Sequence, residues 1–181
     1  MRLTGTAIAV AQVPSSLGRV EHLEGGVRIN VVVADLGQQV EVGDWVQTGA
    51  KGTVDIVFDR ANVFRLGSNT AAVLNLGESR QDVDLELGTM AAVFDKVRTL
   101  SGRGTFDVGT PTAVGGVRGT SFLFRILDSD TTYVCTCSGS LELSPFGHDS
   151  FLETAAGAPD PLLLRDRRRQ RGRRGRRPPV P

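Results

Sequence analysis

The sequence predicts an all-β domain, an antiparallel β-sandwich or jelly-roll-like roll of many short strands, followed by a disordered C-terminal tail. Apolar and polar residues alternate in segments of about four to eight residues, and turn signals recur about every ten residues. No segment shows the period of a helix. Gly is frequent, at 22 of 181 residues, which is typical of a chain with many tight turns.

The chain begins with features of a secretory signal. Arg2 supplies a positive charge, residues 3–10 are mostly apolar or small, and the A-V-A triplet at 9–11 fits a cleavage pattern. We therefore expect residues 1–18 to form a signal peptide and lead-in, and the protein to be exported. The apolar part is short, so an ordinary first strand or an incorrectly assigned start is the alternative, and the protein would then stay in the cytoplasm.

Successive strand signals fill residues 19–144, which we take as the folded domain. In chain order the segments are GRVEHLEGGVRINVVV (two strands around a Gly-Gly turn), QQVEVGDWVQTG, GTVDIVF, VFRLG, NTAAVLNLG, QDVDLELG, GTMAAVF, GTFDVGTPTAV, GTSFLFRIL and TTYVCTCSGSLELS. In GTVDIVF the alternation is strict, so Val54, Ile56 and Phe58 face one way and Thr53, Asp55 and Val57 face the other.

The alternation is lost from residue 145, so residues 145–181 are predicted to be loop and disordered tail. Residues 165–181 contain nine Arg and one Asp, a local charge of +8, which leaves 1 − 8 = −7 for residues 1–164. A segment rich in Arg, Gly and Pro cannot bury enough apolar surface to fold. We expect that removing residues 160–181 leaves the fold intact. Two alternatives are a tail that contacts an anionic surface and an extension translated in an unnatural frame; we expect no nucleic-acid partner.

Three glycines interrupt the apolar run AVGGVRGTSFLF. Gly115, Gly116 and Gly119 weaken a strand interior, and Arg118 lies among them. We expect the glycines to allow close approach of neighbouring backbones, or a bulge, where the chain turns a corner between sheets.

The order of motifs over residues 20–144 resembles the FecR-type periplasmic domain. The shared features are G-D-x-V-x-T-G, a strand ending in L-G-x-N-T, L-x-x-G, V-x-T-P-x-A-V-x-x-V-R-G-T-x-F, and a T-T-x-V strand that closes on a Gly. The resemblance implies an all-β, sandwich-like fold. It also implies bacterial signalling, because the best-known members receive a signal from an outer-membrane transporter and control a sigma factor.

Only part of that function carries over to this sequence. No run approaches the roughly 20 apolar residues that a membrane span requires. We therefore expect this protein to act without the membrane span, the cytoplasmic segment and the second signalling subdomain of those members. What the resemblance implies is an exported, periplasmic binding, scaffold or signal-relay module. Its partner would be a protein or another envelope component of unknown identity.

Asp44, Trp45 and Arg118 are the candidate binding or clamp residues. A guanidinium has five donors and can satisfy several carbonyls or a carboxylate. Asp44 is the preferred partner of Arg118 because the family pattern pairs a G-D turn with R-G-T. The pair is expected to be a structural clamp, with a ligand contact as the alternative. Trp45 is expected in the core, with an exposed binding aromatic as its alternative.

The sequence favours a non-enzymatic protein. His22 and His148 lie in no recognisable triad or metal-hydrolase motif, and no phosphate-binding loop is present. In QDVDLELG the acidic residues alternate with Val83, Leu85 and Leu87, so we interpret them as a solvated sheet face rather than an acid/base pair.

Cys135 and Cys137 support an alternative function, a metal- or redox-active envelope protein. Residues two apart on a strand point to the same face. With His148 they could supply three ligands for zinc or copper(I). Two small buried residues that face the core, and a strained or intermolecular disulfide, are the other interpretations. Some members of the resembled family carry a similar C-x-C before the closing Gly.

Overall fold

The structure, a computed structural model, describes residues 18–58, 62–76, 81–94, 106–155 and 161–166. These residues form strands and turns without a helix, so the predicted fold class is confirmed. The strands are β1 (Gly18–Glu24), β2 (Val27–Ile29), β3 (Val32–Val33), β4 (Gln39–Val40), β5 (Asp44–Thr48), β6 (Thr53–Phe58), β7 (Asn62–Leu66), β8 (Ala71–Leu76), β9 (Gln81–Leu87), β10 (Thr89–Val93), β11 (Phe106–Gly109), β12 (Ala113–Asp128), β13 (Thr131–Pro145), β14 (Phe151–Thr154) and β15 (Leu162–Arg165).

Hydrogen bonds join all 15 strands into one sheet, in the order β3-β2-β5-β8-β9-β11-β12-β10-β7-β6-β1-β4, with β13 on β12 and both β14 and β15 on β13. The pairs are antiparallel as predicted, except that β9 and β11 are parallel. The sheet rolls over on itself. Phe58 on β6 and Phe106 on β11 lie 5.7 Å apart between ring centroids, although three strands separate β6 from β11 in the sheet.

The core lies between the facing halves of this roll. Val54, Ile56 and Phe58 are all buried on one face of β6, as their alternation predicts. Six phenylalanines meet edge-to-face, tilted or stacked at centroid distances of 4.7–5.7 Å: Phe58, Phe64, Phe94, Phe106, Phe122 and Phe124. Aromatic pairs at these distances stabilise a core beyond the area they bury.

The glycines of β12 have distinct roles. A Cβ on Gly115 would lie 2.5 Å from Cζ of Phe124, so Gly115 makes room for a buried ring. A Cβ on Gly116 would lie 3.4 Å from its nearest neighbour, an ordinary contact. Between Arg118 and Ser121 the pairing with β13 shifts register, which confirms the expected irregularity at Gly119.

Strand pairing continues past residue 144, where the sequence predicted only loop. β14 pairs with Ser140–Leu143 of β13, and β15 pairs with Thr131–Val134. Leu164 of β15 is 6% exposed and belongs to the core, so a deletion that begins at residue 160 would remove a packed strand.

Residues 1–17 and 167–181 lie outside the described residues, and with them most of the predicted signal peptide and the Arg-rich tail. In the part of the chain that the structure does describe, no helix has the length and apolar character needed to cross a membrane.

Candidate functional site

A groove on the outer face of the sheet, opposite the core, is the candidate site. Its volume is about 380 Å³, and we call it the outer groove. Its lining residues come from β6, β7, β10, β12 and β13: Asp55, Val63, Arg65, Ala91, Ala92, Val93, Ser121, Phe122, Leu123 and Cys137.

Strand register builds this groove from two parallel rows of side chains. One row crosses five strands through directly paired residues, in the order Asp55, Arg65, Ala91, Leu123 and Cys135. The second row is Val57, Val63, Val93, Ser121 and Ser138. Directly paired residues have their side chains on the same face of a sheet. The floor is therefore small and apolar, with polar groups at its two ends.

An ion pair forms the first end of the outer groove. Arg65 donates from Nε and Nη2 to the two carboxylate oxygens of Asp55, each at 2.6 Å. The hydrogen bond to Asp55 and its negative charge raise the pKa of Arg65. Such a two-bond pair holds the guanidinium in one plane. Arg65 is largely exposed, so it remains available to an anionic group on a partner.

The cysteines form the other end. The Sγ atoms of Cys135 and Cys137 are 3.8 Å apart, so the two side chains share one face as predicted. That face is the outer one, because Cys135 pairs with groove-lining Leu123, whereas Val134 and Thr136 are buried toward the phenylalanines. Cys135 is 8% exposed and Cys137 is exposed. Burial raises the pKa of the Cys135 thiol, and the hydrogen bond and charge of Cys137 raise it further.

His148 does not join the two cysteines. It lies in the turn that follows the end of β13 at Pro145. It is exposed and lines a separate hollow beside β15. Within the described residues, no three His, Cys, Asp or Glu side chains are placed to hold a metal ion. The predicted set of three ligands is not assembled.

Asp44 is buried, as expected of a clamp, but its described partners are Asn30 and Glu41. Asn30 Nδ2 donates to Asp44 Oδ1 at 2.5 Å, and the Glu41 backbone N–H donates to Oδ2 at 2.8 Å. In sheet order, β8, β9 and β11 lie between Asp44 and the strand that carries Arg118. The side chain of Arg118 lies outside what the structure describes, so its pairing with Asp44 stays a prediction.

Trp45 does not lie in the core, and that expectation is wrong. On β5 the inward positions belong to Asp44, Val46 and Thr48, which leaves Trp45 half-buried on the outer face. Its indole Nε1 donates to Glu86 Oε2 at 3.1 Å, across the neighbouring strand β8. The alternative interpretation, an aromatic accessible to a partner, fits this position.

The acidic face of β9 is only partly solvated. Asp84 and Glu86 are exposed as predicted, but Asp82 is 1% exposed and accepts a hydrogen bond from Asn75 Nδ2 at 3.1 Å. Leu87, predicted on the dry face, is 47% exposed. His22 lies on the surface, 3.5 Å from Glu24.

Sequence reasoning missed the outer groove and the part played by Asn30. The groove had one signal, apolar residues at the outward positions of several strands, including Val63, Val93 and Leu123. The sequence signal for the role of Asn30 was weaker. Asn adopts the left-handed backbone region more readily than most residues, and Asn30 has a φ of 48°.

Comparison with known proteins gives one family and two similar structures. The family model described as "FecR protein" matches residues 44–142, more than half of the chain. Two crystal structures of a candidate anti-sigma factor from Parabacteroides distasonis ATCC 8503 align with TM-scores of 0.51 and 0.52, each at 14% identity over 67% of this chain. The aligned part is 59% of that protein's chain. At this identity the likeness concerns the fold alone. No curated protein matches the chain.

Proposed function

Because this chain belongs to the FecR protein family, we propose that it is a non-enzymatic module of bacterial signalling, which binds a partner in the cell envelope and relays or scaffolds its signal. The family supports a signalling role. The similar structures, named for an anti-sigma factor, agree with it at the level of fold.

The outer groove carries this proposal. Ligand sites are concave and mostly apolar, with a few polar groups that fix orientation. Here the floor is small and apolar, and Arg65 is held in place by Asp55 at the rim. A partner with an apolar segment and a carboxylate or other anionic group fits this combination. Trp45 supplies a further accessible aromatic on the same sheet.

Site-specific crosslinking in the living bacterium tests the groove. A photoreactive amino acid at Val93, which lines the groove and is 59% exposed, should give one discrete adduct. The matched control is the same probe at Leu127, which is 51% exposed and outside the groove lining. Arg65→Ala should weaken the Val93 adduct. Equal adducts from both positions, or an adduct indifferent to Arg65, would contradict the proposal.

Export is part of the same proposal and has its own test. Residues 1–18 fused to alkaline phosphatase, an enzyme active only outside the cytoplasm, should give activity that Arg2→Glu reduces. Arg2 is the positive charge that a signal peptide needs. An inactive fusion would place the domain in the cytoplasm.

The Arg-rich tail would add contact with anionic surfaces, and salt should weaken that contact steeply.

One observation favours the second candidate function, redox activity. The two thiols lie 3.8 Å apart at the end of the outer groove.

A further inference from the structure

β13 places two thiols side by side on the outer face of the sheet, with their Sγ atoms 3.8 Å apart. Residues two apart on an extended strand have Cα atoms roughly 6.5–7 Å apart, at the limit for a disulfide. The pairing of β12 with β13 passes from Ser121↔Ser138 directly to Phe122↔Thr136. Cys137 is therefore the extra residue of a β-bulge, and bulges bend a strand and redirect its side chains.

The two sulfurs differ in access. Cys137 is exposed and lines the outer groove, so a small molecule in solution can reach it. Cys135 is 8% exposed and lies 3.8 Å behind it. A disulfide has a bond length of about 2.05 Å, so the sulfurs need to approach by about 1.8 Å, a change that side-chain rotation and the bulge can supply.

We propose that Cys135 and Cys137 form a reversible dithiol–disulfide site, with Cys137 as the entry thiol and Cys135 as the resolving thiol. The oxidant is a low-molecular-weight disulfide, RSSR. The Cys137 thiolate attacks one sulfur of RSSR, the S–S bond breaks, and RS⁻ leaves and takes up a proton. The Cys135 thiolate then attacks Cys137 Sγ and displaces the second RS⁻. Two cysteines lose two electrons and two protons, and RSSR becomes two RSH.

The fold gives this site two properties. A disulfide between residues so close in sequence is strained, and strained disulfides are reduced more readily than structural ones. The bond also joins neighbouring positions of one strand at the rim of the outer groove, so oxidation alters the groove without crosslinking distant parts of the fold. The redox chemistry itself does not depend on the proposed binding function.

Oxidation by oxidised glutathione, followed by acid quenching, alkylation and intact-mass measurement, tests the site on the full chain. Wild type should lose two hydrogen atoms, form no covalent dimer and carry no lasting adduct. Cys135→Ser, which keeps the entry thiol, should accumulate one glutathione on Cys137. Cys137→Ser, which keeps only the buried thiol, should react at least about tenfold more slowly until denaturant is added. Reduced glutathione should return wild type to two free thiols.

Three outcomes would overturn the proposal: a stable glutathione adduct on wild type, a covalent dimer through Cys137, or thiols held by stoichiometric zinc in elemental analysis. Circular dichroism identifies a variant that fails to fold. In that event the mass of oxidised wild type, which shows either an internal disulfide or a glutathione adduct, still tests the proposal. Leu127→Ala, altered at an exposed position outside the groove lining, should oxidise as wild type does. The Val93 crosslink reports partner binding and the mass change reports disulfide chemistry, so failure of one is distinguishable from failure of the other.

Discussion

Asn30 holds the buried carboxylate of Asp44 and the backbone of the next residue at the same time. Its Nδ2 lies 2.5 Å from Asp44 Oδ1, its Oδ1 accepts from the backbone N–H of Trp45 at 2.9 Å, and its own N–H donates to the Trp45 carbonyl at 2.9 Å. The G-D turn of the family motif is thus fixed to the β2–β3 turn.

Asn30→Ala and Asp44→Ala should each lower the free energy of unfolding by about 1–3 kcal/mol. The first leaves the buried Asp44 carboxylate without its amide donor, and the second removes the acceptor of both Asn30 Nδ2 and the Glu41 N–H. A double-mutant cycle measured by urea unfolding should show coupling above about 0.5 kcal/mol. Asp35→Ala, at an exposed carboxylate in the same region, is the control and should stay within about 0.5 kcal/mol. Additive effects would show that the contact contributes little.

Gly115→Ala should destabilise the fold by about 1–3 kcal/mol, since the new methyl would meet the buried ring of Phe124. Gly116→Ala is the matched control one residue away. Its Cβ has ordinary contacts, so reduced entropy of the unfolded chain should make it neutral or stabilising by up to about 1 kcal/mol. Thermal melts of both variants measure the difference in stability. Equal losses of melting temperature in the two variants would exclude the steric explanation.

Thr136→Val and Thr132→Val should act in opposite directions. The Thr136 hydroxyl is buried without a hydrogen-bond partner among the described residues, so replacing it with a methyl should stabilise by about 1 kcal/mol. The Thr132 hydroxyl is 2.7 Å from that of Thr112, and its loss should cost about 1–2 kcal/mol. Urea midpoints of the two variants measure this, and stabilisation by both would contradict the hydrogen-bond argument.

Deletion of residues 167–181 should leave the melting temperature unchanged, whereas deletion of 162–181 should lower it by about 4–8 °C. The longer deletion removes Leu164, whose burial contributes roughly 2 kcal/mol, and each kcal/mol corresponds to about 2–4 °C in a domain of this size. If the shorter deletion also lowered the melting temperature, the Arg-rich tail would have to pack against the folded domain.

Stability at alkaline pH should depend on Cys135. Burial raises the pKa of its thiol in the folded state, so the resulting stability is fully present below the ordinary cysteine pKa of about 8.5 and is lost as pH rises through the folded-state pKa. Under reducing conditions, wild type should therefore lose more stability than Cys135→Ser between about pH 8 and pH 10. Cys137→Ser should lie between them, because Cys137 also raises this pKa. Parallel urea-midpoint curves for all three would contradict the argument.

The sequence by itself determined the fold class, the family and the inward face of β6. Alternation along one strand is a local property with a period of two, so Val54, Ile56 and Phe58 could be assigned to the core without knowledge of any partner strand. The FecR motifs likewise lie in continuous segments, and the family match over residues 44–142 confirms the resemblance.

Only the tertiary structure decided the faces of ambiguous strands and the composition of the site. In DWVQT both Trp45 and Val46 are apolar, so either could point inward, and a one-residue change of register reverses every side chain. The outer groove needs five strands aligned through four registers, and the pairing of β12 with β13 places a bulge at Cys137. Both depend on pairing between residues distant in the chain, which composition and spacing along a single strand do not encode.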